Sequence, residues 1–191
     1  MPPLNIAPSS LWVVAASGGE AAPEQDRYPV WSPDGREIVF FSNDRTVQPE
    51  RYIVSRERGE VGGETPRQLT FDGVASPGEW SPSGDVIAYD LSNGDGVRLI
   101  PPSGGEPRIV SSFGFMPKWN QDGETIYFRD RTKIWSVPAS GGEPRMLVTF
   151  DDPNRLPLRG EWSTDGENFY FTLTEYETDV SVMELESATP R

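Results

Sequence analysis

A tryptophan followed by a tight-turn motif occurs four times in this chain, and this repeat constrains the possible folds more than any other feature. The copies read WSPDGREIVF, WSPSGDVIAYD, WNQDGETIYFRD and WSTDGENFYFTL, and they begin at Trp31, Trp80, Trp119 and Trp162. Successive tryptophans are 49, 39 and 43 residues apart. A second motif, Gly-Gly-Glu, occurs at residues 18–20, 62–64, 104–106 and 141–143. Repeats of this length indicate a row of similar supersecondary units that pack against their neighbours.

Each repeat is predicted to contain four short β-strands, named a to d in chain order. Strand a ends at the tryptophan, and strand b follows the turn, as in EIVFFS and TIYFRD. Strand c has the pattern of LWVV, RYIV, VRLI, IWSV and DVSV, and strand d that of RQLTF, RIVSS and RMLVTF. Strand b alternates only weakly between apolar and polar residues, so we expect both its faces to be buried. Four strands in a period of roughly 40–45 residues are typical of a β-propeller blade.

The repeated residues have structural reasons. A single blade cannot bury both of its faces, so blades stack side by side, and a tryptophan can fill the space between two of them while its indole N–H finds a partner. In the turn, proline sets φ, aspartate accepts hydrogen bonds from nearby backbone, and glycine adopts positive φ. We therefore interpret the tryptophans and turn residues as structural.

Composition supports strands and excludes several functions. Nineteen glycines and nineteen prolines suit short strands and frequent turns. The formal net charge of −13 repels phosphate backbones, so we expect no nucleic-acid partner and favour a basic peptide or cationic protein surface. The chain has no cysteine, hence no thiolate chemistry, and no histidine, which excludes Ser-His-Asp and Cys-His triads within it. We expect no cofactor.

The N-terminal segment carries no recognisable targeting signal. It has no basic region, and its apolar run, LWVVAA, is too short for a signal peptide or a membrane span. We therefore expect neither in this chain.

The repeats resemble a known family of propellers. WSPDGREIVF and WSPSGDVIAYD, together with SGGEPRIV and SGGEPRMLVTF, are similar to the WD40-like (PD40) repeats of the TolB family. They also resemble the N-terminal propellers of prolyl-oligopeptidase-type and tricorn-type proteins, and the sensor propellers fused to some bacterial Ser/Thr kinases. The resemblance implies a non-catalytic propeller that binds a protein or peptide through its central channel or one face. It also implies a periplasmic or secreted location, the alternative being cytoplasmic.

The repeats predict an all-β fold, a β-propeller with about four four-stranded antiparallel blades. We expect residues 1–191 to form one domain, with Trp-turn units that start near residues 28, 77, 116 and 159. The segment AAPEQDR is short and polar, so strand d is expected only three times. Three arrangements stay open: a closed four-bladed ring, an arc of a larger ring, and two arcs joined in a homodimer. We favour an arc that dimerises or closes imperfectly, since an open arc exposes apolar blade faces.

Strand a is the innermost strand of a propeller blade, so its residues are the candidates for partner binding. They are Arg27, Tyr28, Glu79, Met116, Lys118, Arg159 and Glu161. The alternative is that their charges pair with one another. No catalytic or metal-binding residue is predicted: Asp151 and Asp152 could contribute to a cation site, but a solvated loop explains them better.

Two other functions remain open. The chain could be the accessory or sensor propeller of a larger enzyme or Ser/Thr kinase, although it contains no G-x-S-x-G motif of its own. A weaker alternative is a carbohydrate-active propeller, because S-x-D-G resembles the Asp-box turns of sialidases. In this chain the glycine falls one residue early, and no group of three arginines with a Tyr-Glu pair is evident.

Overall fold

The chain folds into β-strands and turns over the residues that the computed structural model describes. These residues are 11–13, 22–24, 27–42, 50–57, 60–61, 66–72, 78–91, 94–150, 155–157, 162–171 and 173–175. They include no helix, and therefore no helix of the length and hydropathy needed to cross a membrane. The expected all-β class, built from four-stranded antiparallel blades, is confirmed.

The first two strands form a small antiparallel sheet. Strand β1 (Leu11–Val13) pairs with β2 (Ala22–Glu24), so that Trp12 lies opposite Pro23. β1 is the first strand c of the repeat pattern, and β2 lies within AAPEQDR. The expectation that this segment forms no strand d is therefore wrong. A short polar segment can still pair its backbone with an adjacent strand, and proline is tolerated in an edge strand.

Blade 1 has an extended third strand. Its strands are β3 (Arg27–Trp31), β4 (Glu37–Ser42), β5 (Glu50–Glu57), β6 (Glu60–Val61) and β7 (Arg67–Gln68). β3, β4, β5 and β7 form the four-stranded sheet, and β6 pairs with the far end of β5. β5 is therefore twice as long as the predicted RYIV segment, because a second hairpin continues from it.

Blades 2 and 3 have the predicted strand order. Blade 2 contains β8 (Glu79–Trp80), β9 (Ile87–Asp90), β10 (Val97–Ile100) and β11 (Arg108–Ser111). Blade 3 contains β12 (Phe115–Trp119), β13 (Thr125–Arg129), β14 (Lys133–Pro138) and β15 (Arg145–Thr149). In each sheet the strands are hydrogen-bonded in chain order, as antiparallel neighbours.

The fourth repeat is described only in part. Strand β16 (Arg155–Pro157) pairs with β19 (Leu173–Glu175), and β17 (Ser163–Thr164) pairs with β18 (Phe169–Tyr170). The ladder thus runs past Trp162, where strand a was expected to end. Thr164 stands where the first two copies have proline, and unlike proline it has an N–H for a ladder hydrogen bond. The predicted strand c at residues 179–182 lies outside the described residues.

Burial of strand b on both faces is confirmed for blades 1 and 2, whereas Tyr170 in strand b of the fourth repeat is exposed. In β9, Ile87 and Tyr89 belong to an apolar cluster shared with blade 1, whereas Ala88 belongs to one shared with blade 3. Successive side chains of a strand point to opposite faces, so this strand is covered from both sides. The core is therefore a series of layers between blades.

The Trp-turn is the same in the first three blades. In blade 1, Gly35 N donates to Ser32 O at 2.9 Å and has φ of 69°. The second copy has Ser83 in place of the aspartate, but Asp85 accepts hydrogen bonds from the hydroxyls of Ser81 and Ser83 instead. The carboxylate that accepts hydrogen bonds in this turn thus comes from Asp85, two residues after the position where the other copies have aspartate.

Arginines join the outer edges of the blades. Arg67 of blade 1 donates to the carbonyl oxygens of Pro102 and Ser103, in the c–d turn of blade 2. Arg108 Nη2 of blade 2 donates to Ala139 O at 2.5 Å, in the same turn of blade 3. The Pro-Arg that follows Gly-Gly-Glu therefore acts between repeats.

Candidate functional site

The inner strands of neighbouring blades are joined through the repeated tryptophans. Trp80 Nε1 donates to Val30 O at 3.1 Å, and Trp119 Nε1 donates to Glu79 O at 3.0 Å. The last copy follows the rule, since Trp162 Nε1 donates to a carbonyl of β12 at 2.9 Å. The predicted role of the tryptophan, which fills the space between blades and keeps one N–H for a partner, is confirmed for these three. The contacts of Trp80 and Trp119 each place two strands a side by side.

Two of the candidate site residues form an ion pair across this boundary. Lys118 Nζ lies 2.9 Å from Glu79 Oε2, and the two side chains are 27% and 31% exposed. The alternative in which inner-strand charges pair with one another therefore holds for Glu79 and Lys118. The pair is partly open to solvent, so it can still present charge to a partner.

Tyr28 and Met116 occupy equivalent positions, three residues before the tryptophans of blades 1 and 3. Both adopt positive φ, 55° and 56°, and both lie in an irregularity of the β3–β4 or β12–β13 pairing. Positive φ is uncommon in residues other than glycine, and such strained positions cluster at functional sites. Tyr28 is 54% exposed and packs edge-on against Phe41, whereas Met116 is half-buried.

The remaining candidates are less well defined. Arg27 lies in β3 opposite Phe41. Arg159 and Glu161, like Asp151 and Asp152, lie outside the described residues. In the part of the chain that the structure describes, no group of three or more acidic residues is placed to hold a metal ion.

Sequence reasoning missed a polar cluster between blades 1 and 2. Its members are Glu50, Arg51, Thr70, Asp72, Tyr89, Asp90 and Arg98, and we refer to it as the interblade cluster. The Arg51 side chain is fully buried, with its guanidinium 4.4 Å from the centre of the Tyr89 ring. Burial lowers the pKa of Arg51 to about 10, and the carboxylate of Asp90 opposes this shift. Arg51 therefore stays charged at neutral pH.

Asp72 lies at the outer side of this cluster. Its Oδ2 accepts hydrogen bonds from Tyr89 Oη at 3.0 Å and from Arg98 Nη1 at 2.9 Å. Burial raises the pKa of Tyr89 well above its usual range, and the nearby Asp72 carboxylate raises it further. The Tyr89 hydroxyl therefore remains a donor to Asp72.

Tyr89 and Arg98 differ from the residues at the equivalent positions of the other repeats. This difference could have revealed the cluster from the sequence. The pair Tyr89–Arg98 links strands b and c of blade 2. At the same ladder position blade 1 has Phe40–Tyr52 and blade 3 has Phe128–Trp135. In blade 2, tyrosine thus replaces the phenylalanine of strand b and arginine replaces the aromatic residue of strand c, and both donate to the same carboxylate.

A cavity of about 240 Å³ adjoins Asp72 and Arg98. It lies between the end of strand d in blade 1 and the c–d turn of blade 2. Its lining residues are Leu69, Thr70, Phe71, Asp72, Arg98, Gly105, Glu106 and Pro107.

The resemblance to propellers is borne out by comparison with known proteins. No protein-family profile matches the chain. The chain is 36% identical over 67 residues to the Tol-Pal system protein TolB of Alcanivorax borkumensis, which is 34% of this chain and 14% of that protein. It superposes with a TM-score of 0.61 and 16% identity on a TolB candidate from Agrobacterium tumefaciens, covering 92% of this chain and 69% of the other. The chain has a TolB-like β-propeller fold.

This propeller is also similar to part of a peptidase. It is 34% identical over 98 residues to the uncharacterized peptidase YuxL of Bacillus subtilis. The match covers 48% of this chain and 14% of that protein. The matched segments are thus a small part of either curated relative.

Proposed function

We propose that this chain is a non-catalytic propeller scaffold that binds a protein or peptide partner along its inner strands. The observation that carries the proposal is the half-exposed side chain of Tyr28, held in a left-handed conformation on the inner strand of blade 1. An exposed tyrosine gives a partner a large apolar surface and a hydroxyl for orientation.

The charge of the chain supports a basic partner. The net charge is −13, and an acidic surface attracts cationic segments and increases their rate of encounter. The Glu79–Lys118 pair lies on the same inner surface and offers a carboxylate that a basic residue could share. By analogy with TolB we also propose a periplasmic or secreted location.

The experiment measures fluorescence anisotropy of a labelled peptide of alternating lysine and glycine, with an alternating glutamate and glycine peptide as control. We expect binding of the basic peptide only, weakened when salt rises from about 50 to about 300 mM. Tyr28→Ala should weaken it about threefold or more, the range of one aromatic contact. Tyr170→Ala is the matched control, because Tyr170 is equally exposed on blade 4. Equal losses in the two variants, or no binding at all, would refute the proposal.

The second candidate is an accessory propeller within a larger peptidase, and the similarity to YuxL favours it. In that case the propeller would control access to a catalytic domain encoded beside it. The test is the mass of the protein from its native source, detected with an antibody against this chain. A species far above 21.2 kDa whose additional sequence carries a hydrolase motif would favour this candidate.

We further propose that a second copy packs against blade 1, where the side chain of Trp31 is partly exposed. Trp31 is 44% exposed, whereas Trp80 is 6% exposed beneath the inner strand of the blade before it. A second copy carries the same kind of inner strand, so it is the occupant that the repeat geometry favours. Light scattering should give the dimer mass, and Trp31→Glu should shift it to the monomer. A monomeric wild-type chain at high concentration would contradict the idea.

A further inference from the structure

The cavity beside Asp72 is too small for a typical organic ligand. Its volume is about 240 Å³, whereas drug-sized ligand pockets occupy roughly 300–1,000 Å³. A single amino-acid side chain is a better match for this space. The cavity also lies at the outer boundary between two blades, away from the inner-strand residues proposed to bind a partner.

The lining favours a cation. It contains two carboxylates, Asp72 and Glu106, and one guanidinium, that of Arg98, which is already bonded to Asp72. Behind the lining, the interblade cluster adds the carboxyl groups of Glu50 and Asp90 and the guanidinium of Arg51, while the Arg67 guanidinium lies against the c–d turn of blade 2. Buried charges are weakly screened, so this excess of negative charge acts across the cavity.

Asp72 has capacity for another donor. It accepts two hydrogen bonds, both at Oδ2, and Oδ1 has no hydrogen-bond partner among the described residues. Oδ1 itself is buried, but a carboxylate has about four lone-pair positions, so the partly exposed Asp72 side chain can accept a further donor. An anion, by contrast, would face two carboxylates and a guanidinium whose Nη1 is already paired with Asp72; its buried Nε has no hydrogen-bond partner among the described residues.

An aromatic ring completes the site. Phe71 lines the cavity and is 78% exposed, which is unusual for so large an apolar side chain. The face of an aromatic ring attracts ammonium and guanidinium groups, and more strongly when they are partly desolvated. An exposed phenylalanine beside two carboxylates therefore combines apolar contact with charge attraction.

We propose that this cavity binds one cationic side chain, the ammonium of a lysine or the guanidinium of an arginine, presented by a peptide. The alkyl stem lies against Phe71, and the charged group lies between Glu106 and Asp72. Tyr89 and Arg98 are positioning residues that hold the Asp72 carboxylate. This inference extends the proposed peptide-binding function, but it does not depend on the inner-strand surface.

The test uses two heptapeptides with a central arginine or citrulline and glycine elsewhere, because citrulline keeps the shape and removes the charge. Binding is followed by NMR amide shifts of the isotope-labelled chain. We expect the arginine peptide to shift the amide signals of residues 69–72, 105 and 106, and the citrulline peptide to shift none of them. Glu106→Gln and Phe71→Ala should each weaken binding about threefold to tenfold.

The matched control is Glu143→Gln. Glu143 is the glutamate of the next Gly-Gly-Glu motif, it is exposed like Glu106, and it does not line the cavity. An equal effect of Glu143→Gln and Glu106→Gln would overturn the proposal, as would equal binding of citrulline. Binding of free arginine without binding of the heptapeptide would also overturn it. If Tyr28→Ala abolishes binding and Glu106→Gln does not, the inner-strand proposal stands and this one fails.

Discussion

The indole Nε1 of Trp119 donates a 3.0 Å hydrogen bond to the main-chain carbonyl of Glu79, and so joins the inner strands of two neighbouring blades. The same tryptophan packs against the apolar layer between blades 2 and 3. One residue of the repeat thus supplies both apolar contact and a directional bond between blades.

Trp119→Phe should lower the free energy of unfolding by about 1–2 kcal/mol. The variant loses the indole donor and leaves the partly buried Glu79 carbonyl without it, and losing such a hydrogen bond costs about that much. Chemical denaturation measures the change. Trp31→Phe changes the more exposed first copy and should lower the free energy of unfolding by a smaller amount. Equal losses in the two variants would contradict this explanation.

Gly96→Ala should destabilise the chain far more than Gly105→Ala. Both glycines have positive φ, 106° and 119°, so alanine is strained at either position by roughly 1–2 kcal/mol. At Gly96 a Cβ atom would also lie 2.1 Å from Ser111 O, whereas at Gly105 nothing lies within 4 Å. The difference in thermal midpoint between the two variants isolates the clash. Similar midpoints would mean that this close approach is not maintained.

The Glu79–Lys118 pair should contribute a small, salt-dependent coupling. Both side chains are close to one-third exposed, and such pairs are worth about 0.2–1 kcal/mol. A double-mutant cycle with Glu79→Gln and Lys118→Met measures the coupling, at low salt and at high salt. The more exposed pair Asp34–Arg36, whose atoms are 3.7 Å apart, should give a smaller value.

Asp85 should make stability dependent on acidic pH. Hydrogen bonds from the hydroxyls of Ser83 and Ser81 lower the pKa of Asp85 below its ordinary value of 3.8. The stabilisation is therefore complete above that value and is lost as pH falls through the lower pKa of the folded state. Denaturation between about pH 6 and about pH 2 should show the advantage of the wild type over Asp85→Asn shrinking toward low pH.

The control for this titration is Ser83→Ala. Without the Ser83 hydroxyl the pKa of Asp85 moves back toward its ordinary value, so the advantage of aspartate over asparagine should diminish. An advantage that is constant over the whole pH range would show that the charge of Asp85 is not involved.

The repeat predicts most of the fold because its information is local. Strand b of blade 1 runs from Glu37 to Ser42 as predicted, since the turn hydrogen bonds that begin it join residues at most five positions apart. The predictions were wrong where a segment without a clear strand pattern becomes a strand because a partner strand lies beside it. The polar β2 forms because β1 lies beside it, and the ladder continues past Trp162 because Thr164 can pair with Phe169.

The candidate site was predicted less completely. Inner-strand residues follow from blade topology, so Glu79 and Lys118 were identified, but their mutual ion pair depends on how two blades pack. The interblade cluster was missed because the repeat pattern predicts only the residues that its copies share, and Arg98 is not one of them. Only the ladder register shows that Tyr89 and Arg98 lie opposite each other on neighbouring strands.

The sequence by itself determined the strands, the Trp-turns and the propeller class, because turn chemistry and strand burial are set by residues close together in the chain. The tertiary structure decided which tryptophans are covered and how Asp72 meets Tyr89 and Arg98, which lie 17 and 26 residues farther along the chain. Those contacts depend on the packing of blade on blade, and the relative position of two blades is not encoded in any one repeat.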